Sequence, residues 1–200
     1  MQKKLILGSS SPYRKALLER LRIPFECHSP NIDESPFSLE SAVDLVKRLS
    51  IAKAHAVHLE RQQSKQGSAD IIIASDQVAV LNNQILGKPH TEENAINQLS
   101  SFSGQKVSFL TGLCVFSQQD QSYQYILSEY HVHFRDLTTK EIANYVSLEQ
   151  PLDCAGSFKC EGLGICLFEK MEGDDPNSLI GLPLISLSRL LRELEVNPLD

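Results

Sequence analysis

Tryptophan is absent from the 200-residue chain, methionine occurs twice, and positive charge is scarce, with 19 lysines and arginines against 25 aspartates and glutamates. The resulting formal charge of -6 argues against binding long nucleic acid or an anionic membrane, because a polyanion gains nothing from a surface of its own sign. An anionic small molecule would depend on a local basic pocket. No apolar run approaches the roughly 18 residues of a membrane helix, and the opening KKLILGSS is too short for the apolar centre of a secretory leader. Cys27, Cys114, Cys154, Cys160 and Cys166 form no CxxC pair, and an odd count does not suggest a disulfide framework. Their spacings match no standard zinc site. A reducing cytoplasm is the compartment these absences favour. There is no internal repeat and no low-complexity tract. The turn after the first apolar run is no Walker A loop either, since it lacks the glycines and the Lys-Ser/Thr ending.

What is present is a 42% hydrophobic chain patterned as alternating strands and helices, enough for one sizeable α/β domain or two small lobes sharing a sheet. One compact unit over residues 1–200 is expected. Residues 3–8 read as a buried strand, Ser11 as a helix cap and Pro12 as the first helical residue. Residues 40–59 place Ala42, Leu45, Val46, Leu49, Ala52, Ala56 and Leu59 at helical spacing. Arg61–Asp70 reads as a polar surface connection. Two apolar stretches, 71–74 and 78–81, follow on either side of Ser75-Asp76-Gln77, and Asn82-Asn83 turns the chain into Ile85 and Leu86. A helix capped by Thr91 comes next, then long strands over 106–117 and 123–135 joined through Gln118–Gln121. Thr138 and Glu141 form a capping box. A glycine-bearing loop from Cys154 to Gly164, a strand to Glu172 and a helix from about Pro183 to Leu194 close the chain.

The polar residues at the ends of these apolar runs carry the chemistry. Ser9, Ser11 and Arg14 sit where a strand turns into a helix, and a helix N-terminus with unpaired N–H groups suits an anion. A plain Ser-Pro cap beside a solvated arginine is the alternative. Lys53 falls on or beside the apolar stripe of its helix, either snorkelling to the rim of the core or aimed into an internal cleft. Asp76 stands between apolar stretches, and a carboxylate there must be paired, hydrogen-bonded or metal-bound. Lys88 follows Gly87 at the next chain turn, and Asp33-Glu34 lies in a turn-like acidic segment. Hydroxyls, cations and one carboxylate are what a bound polyphosphate needs, because its charge must be neutralised and its oxygens must accept hydrogen bonds.

These pieces together resemble the Maf family of nucleoside triphosphate pyrophosphatases along almost the whole chain. The resemblance is carried by LILGSSSPYR (5–14), Asp33-Glu34, Lys53-Ala54, Ser75-Asp76-Gln77, Gly87-Lys88-Pro89, Thr111-Gly112 and Gly181-Leu182-Pro183. The branch it resembles most acts on 7-methyl-GTP, through Tyr13, Gln77 and the loop AGSFKCEG around Glu161. The resemblance implies an elongated α/β protein of the Maf and ITPase-like kind, whose mixed twisted sheet and flanking helices form two lobes around a central cleft. It implies Asp76 as proton acceptor, Lys53 and Lys88 as catalytic cations, Ser9, Ser11 and Arg14 on the phosphate side, and Glu34 linked to a divalent cation, Mg2+ or Mn2+. Asp76 could hold that metal as well. A homodimer is expected.

A base methylated at N7 is cationic, so it should favour an aromatic face and a carboxylate, which Tyr13 and Glu161 could supply. Gln77 could report on the base or ribose. Tyr13 stands where this branch would be expected to carry tryptophan. The activity implied is hydrolysis of 7-methyl-GTP to 7-methyl-GMP and diphosphate, which keeps a modified nucleotide out of nucleic acid. A pyrophosphatase of different specificity and a nucleotide-binding regulator of cell division are the alternatives.

Overall fold

The computed structural model describes residues 3–64 and 70–200. Seven strands form one mixed sheet: β1 (Lys4–Leu7), β2 (Phe25–Cys27), β3 (Asp70–Leu81), β4 (Gln84–Leu86), β5 (Lys106–Ser117), β6 (Ser122–Phe134) and β7 (Phe168–Gly173). The order is β2-β1-β3-β5-β6-β7, with β4 also paired to β3. β2, β1 and β3 are parallel, while β3, β4, β5, β6 and β7 pair antiparallel. The helices are α1 (Pro12–Glu19), α2 (Ala42–Gln63), α3 (Glu92–Phe102), α4 (Thr139–Glu149), α5 (Pro176–Ile180) and α6 (Leu184–Glu193), plus a 3-10 turn at Leu163–Leu167. The expected mixed sheet with flanking helices is therefore present.

Local signals set many of these boundaries. Ser11 caps α1 with Pro12 as its first residue, Thr91 caps α3, and Thr138 with Glu141 closes both halves of a capping box on α4. Asn82 and Asn83 both take positive φ, 50° and 64°, which is the geometry of a two-residue hairpin turn between β3 and β4. Two expectations change. Ser75-Asp76-Gln77 does not separate two strands, because β3 runs unbroken from Asp70 to Leu81 and pairs with β5 throughout that triplet. Nor is the Arg61–Asp70 segment a polar surface connection at its ends, since Arg61 and Asp70 are both buried and paired at 2.7 Å. Residues 65–69 of that segment lie outside the described residues.

Strand alternation sends successive side chains of β3 to opposite faces. One face bears two separate cores. Leu5, Leu7, Ile71, Ile73, Leu113 and Val115 pack with Leu17 and Leu18 of α1 and with α6. Farther along the same strands, Ala79, Phe109, Tyr130 and Val132 pack with α3 and α4. The other face is covered by α2, whose Leu45, Val46 and Leu49 meet Val78 and Leu110, and whose Ala54 and Val57 meet Ile6, Ile72 and Ala74. The buried stripe of α2 passes through Ser50, Lys53, Ala54, Val57 and Arg61, and Leu59 is exposed. It thus departs from the expected line through Ala52, Ala56 and Leu59. Gly112 explains the seating, because a Cβ there would stand 2.6 Å from the carbonyl oxygen of Val46. Only a glycine lets the helix come down that close, directly beside Asp76, the partner of Gly112 in the sheet.

Candidate active site

The site forms at a break in the pairing along one edge of β3. β1 accompanies β3 only as far as Leu7 opposite Ile73, and β4 begins to accompany it at Leu86 opposite Ala79. Between them, residues 74–78 pair with β5 on one side and, among the described residues, with no strand on the other. Because β1 is parallel and β4 antiparallel to β3, the carboxyl ends of both run into this notch. The segments that leave those ends are Gly8-Ser9-Ser10-Ser11 and Gly87-Lys88. A crevice where strand ends diverge is a common place for a ligand in α/β sheets.

Asp76 occupies the middle of the notch and is buried, pointing to the α2 face. The ammonium of Lys53, also buried, lies 2.7 Å from Asp76 Oδ1 and 2.8 Å from Glu34 Oε2. Among the described residues, Asp76 Oδ2 and Glu34 Oε1 have no hydrogen-bond partner. Glu34 is brought here by a loop that Arg48 pins to α2. Arg48 grips both oxygens of Glu40 at 2.6 and 2.8 Å and donates to the Ser35 carbonyl at 3.0 Å, with the Phe37 ring 3.9 Å beneath it. That grip holds the Glu40 carboxyl down at about 2. Asp33 is exposed and bonded within its own turn, where the Ser35 side chain first and then the Ser35 N–H, at 2.9 Å, lower its pKa; Glu34 is the member of the pair that reaches Lys53.

The β1–α1 turn supplies the other wall. Ser9 is buried and its hydroxyl accepts from the Ser11 N–H, while Ser11 accepts from the Arg14 N–H as helix cap. Arg14 donates through Nε to the Gly181 carbonyl at 2.9 Å. Burial pushes the Arg14 pKa down, and the charges of Asp76 and Glu34 oppose that shift. Lys88 follows two residues after Leu86, the end of β4 that borders the notch. It is exposed and, among the described residues, makes no ion pair, while its neighbours are fastened: Gln98 donates to the Gly87 carbonyl and Asn94 to the Pro89 carbonyl.

The remaining expected residues divide. Tyr13 donates to Asp153 at 3.3 Å, and burial followed by contact with Cys154 raises its pKa. Glu161 is exposed and, among the described residues, accepts only from Cys160 Sγ, on a loop anchored by buried Phe158 and by the Lys159 N–H to the Tyr145 hydroxyl. Gln77 departs from expectation. It lies on the sheet face opposite Asp76, and its amide nitrogen donates to Thr111 Oγ1 and to the carbonyls of Ser178 and Leu179. With its donors committed to α5, Gln77 is turned away from a base or ribose lying beside Asp76. Residues that sequence reasoning passed over are Arg48, which holds the Glu34 loop, and Ser75, Thr111 and Gly181, which fix the end of α5. Ser75, Thr111 and Gly181 enter the sequence reading only as parts of family fragments, without a role of their own.

Glu34 and Asp76 also fit a divalent cation. Each keeps one oxygen free beside the other, and Mg2+ is typically held by one or two carboxylates with phosphate oxygens and water completing its shell. No group of three or more His, Cys, Asp or Glu side chains suited to a metal occurs among the described residues, so substrate would have to contribute ligands.

Residues 4–194 match the family described as Maf-like protein. A relative from Colwellia psychrerythraea named 7-methyl-GTP pyrophosphatase is 53% identical over 96% of this chain and 92% of its own length. Relatives with the same name from Pseudoalteromonas translucida, 53% identical over 100% of this chain and 96% of that protein, and from Aliivibrio fischeri, 50% identical over the full length of both, are similar to it as well. A solved structure of the Staphylococcus aureus Ham1 protein covers 97% of this chain and 100% of that one at 12% identity and a TM-score of 0.48, too slight a likeness to carry an argument.

Proposed function

The chain belongs to the Maf family, and from that premise we propose that it hydrolyses 7-methyl-GTP to 7-methyl-GMP and diphosphate. The observation that carries the reading is the buried Lys53 ammonium shared by Asp76 and Glu34 in the notch into which the strand ends preceding Ser9 and Lys88 run. In the reaction, a water oxygen bonds to the α-phosphorus and the bond from that phosphorus to the bridging oxygen breaks. Asp76 Oδ2 takes the water proton, while Lys53 holds Oδ1 and so fixes the direction of the free oxygen. The departing diphosphate gathers negative charge, which Arg14, Lys53 and Lys88 neutralise, an electrostatic contribution of several kcal/mol in such sites. Ser9 and Ser11 donate to phosphate oxygens. Where Mg2+ or Mn2+ takes the free oxygens of Glu34 and Asp76 instead, it would lower the pKa of bound water in place of direct proton transfer to Oδ2, and would screen the triphosphate.

Tyr13 and Glu161 stand on the base side of this reading, an aromatic face and a carboxylate for a cationic ring. Residues 1–200 act as one unit, as a homodimer in the cytoplasm. The family resemblance supports the dimer. That all five cysteines are free supports a reducing compartment. Among the described residues, no helix is long and apolar enough to cross a membrane.

The test is a panel of 7-methyl-GTP, GTP and the other common triphosphates with Mg2+ or Mn2+, reading diphosphate and orthophosphate separately. Diphosphate release fastest from 7-methyl-GTP, abolished in Asp76→Asn with nucleotide still bound, is the expected result. Tight nucleotide binding with no turnover in either form would instead mark a regulator, and equal rates on all triphosphates would remove the base preference.

A further inference from the structure

Ser75 has no place in the chemistry just described, yet its hydroxyl is fully buried and donates 2.8 Å to the Gly181 carbonyl. The same carbonyl oxygen accepts from Arg14 Nε at 2.9 Å. Three sites in the chain, the middle of β3, the first turn of α1 and the end of α5, thus meet at one oxygen. The end of α5 is itself held by Gln77 and by Thr111, which donates to Ser178 O at 2.9 Å. Helix C-terminal carbonyls lack intrahelical partners, and among the described residues the Leu179 and Gly181 carbonyls have only these side-chain donors, while Ser178 O also accepts from the Gly181 N–H. Gly181 has φ 115°, a backbone state in which an L side chain is strained, and an added Cβ would stand 3.3 Å from Arg14 Nε. With Nε fixed, the two terminal nitrogens of Arg14 make no hydrogen bond among the described residues. A guanidinium is a planar fork, so anchoring one edge sets the direction of the other.

We propose that Ser75, acting through the Gly181 carbonyl, is a positioning residue for Arg14, aiming its terminal nitrogens at the phosphate chain of the substrate; the inference rests on the phosphate chemistry proposed above. Strand alternation divides the work of the Ser75-Asp76-Gln77 triplet. Asp76 serves the reacting face, and its two neighbours on the opposite face hold the segment that orients the arginine. An anchored fork meets the developing charge already oriented, and such preorganisation acts mainly on the chemical step.

A double-mutant cycle tests this. Ser75→Ala should lower kcat about tenfold with KM changed less than about twofold, and in an Arg14→Lys background, where the Nε donor is gone, the same change should cost less than about twofold. The loss of thermal stability from Ser75→Ala should be no smaller in the Arg14→Lys background, where the Gly181 carbonyl loses its remaining side-chain donor, so a smaller kinetic effect there does not follow from stability. Thr111→Val, which removes a bond to the end of α5 without touching the Gly181 carbonyl, should be additive with Arg14→Lys. Should Ser75→Ala fail to fold, Ser75→Cys, a weaker donor of similar shape, takes its place in the cycle. An additive Ser75–Arg14 cycle in an active enzyme overturns the inference and leaves the function standing. If no triphosphate is turned over, the cycle is read in the affinity for inorganic diphosphate by calorimetry. Coupling there upholds the positioning role while the function fails, and additivity or absence of binding overturns the inference.

Discussion

The Lys53 ammonium stands 2.7 Å from Asp76, so a cation on α2 and a carboxylate on β3 meet at a point where the sheet has lost a neighbouring strand. Both groups are buried, and a pair of this kind gives little net stability, because desolvation offsets most of the Coulombic gain. Glu34 adds a second carboxylate to the same ammonium, at 2.8 Å. An arrangement that is weakly justified by folding and well suited to holding a phosphate chain points to function.

Lys53 and Lys88 should separate activity from stability. Lys88 is exposed and without an ion pair among the described residues, so Lys88→Ala should lower kcat/KM at least about tenfold while stability stays within about 0.5 kcal/mol. Lys53→Ala should lower kcat/KM similarly and also cost about 1 to 3 kcal/mol, because it leaves Asp76 without its partner. Steady-state kinetics and urea unfolding check both. A change in kcat/KM within twofold for Lys88→Ala would place that ammonium outside the site.

Glu161 is exposed on an anchored loop, so its loss should not disturb packing. Glu161→Ala should reduce the ratio of kcat/KM for 7-methyl-GTP over GTP by about fivefold or more, with stability within about 0.5 kcal/mol. An unchanged ratio removes Glu161 from base selection.

Asp70 and Arg61 are both buried and joined at 2.7 Å, with Glu26 3.1 Å from the same guanidinium. Asp70→Ala should destabilise the fold by about 3 kcal/mol, since it strands a buried guanidinium. Urea midpoints at neutral pH measure the effect. A loss below about 1 kcal/mol would show that Glu26 alone suffices.

Glu141 gives an acid-dependent prediction. Arg135 first, then the Thr138 N–H and hydroxyl, hold its carboxyl at about 2, below its ordinary value of 4.5. A carboxylate whose pKa is lowered by folding contributes stability above its unfolded pKa and loses it as pH falls through the folded one. The contribution is therefore complete above about 4.5 and declines between there and about 2. Glu141→Gln should narrow the difference between urea midpoints measured at pH 5 and pH 3. An equal difference in both proteins would show that Glu141 does not set the acid limb.

Much of the framework was legible because it depends on neighbours in the chain. Ser11, Thr91 and Thr138 announce helix starts through bonds made within three residues, and Asn82-Asn83 announces a hairpin through positive φ. Lys53 on a buried stripe and Asp76 among apolar residues were visible as costly placements needing partners. The stripe of α2 is offset from the expected line because the helix is seated by contacts with β1, β3 and β5, among them Gly112 against Val46, that lie outside its own segment. Gln77 was misjudged because adjacency in sequence to Asp76 means opposition in space within a continuous strand.

The sequence by itself determined which elements form and which residue types could handle a triphosphate, because propensity, capping and the cost of burying charge are local or compositional. Only the tertiary structure decided that β1 and β4 leave β3 uncovered around Asp76, that Glu34 shares Lys53, and that Gly181 joins Ser75 to Arg14. Those contacts unite residues as much as 167 positions apart, and they follow from strand register and helix seating, which no single segment specifies.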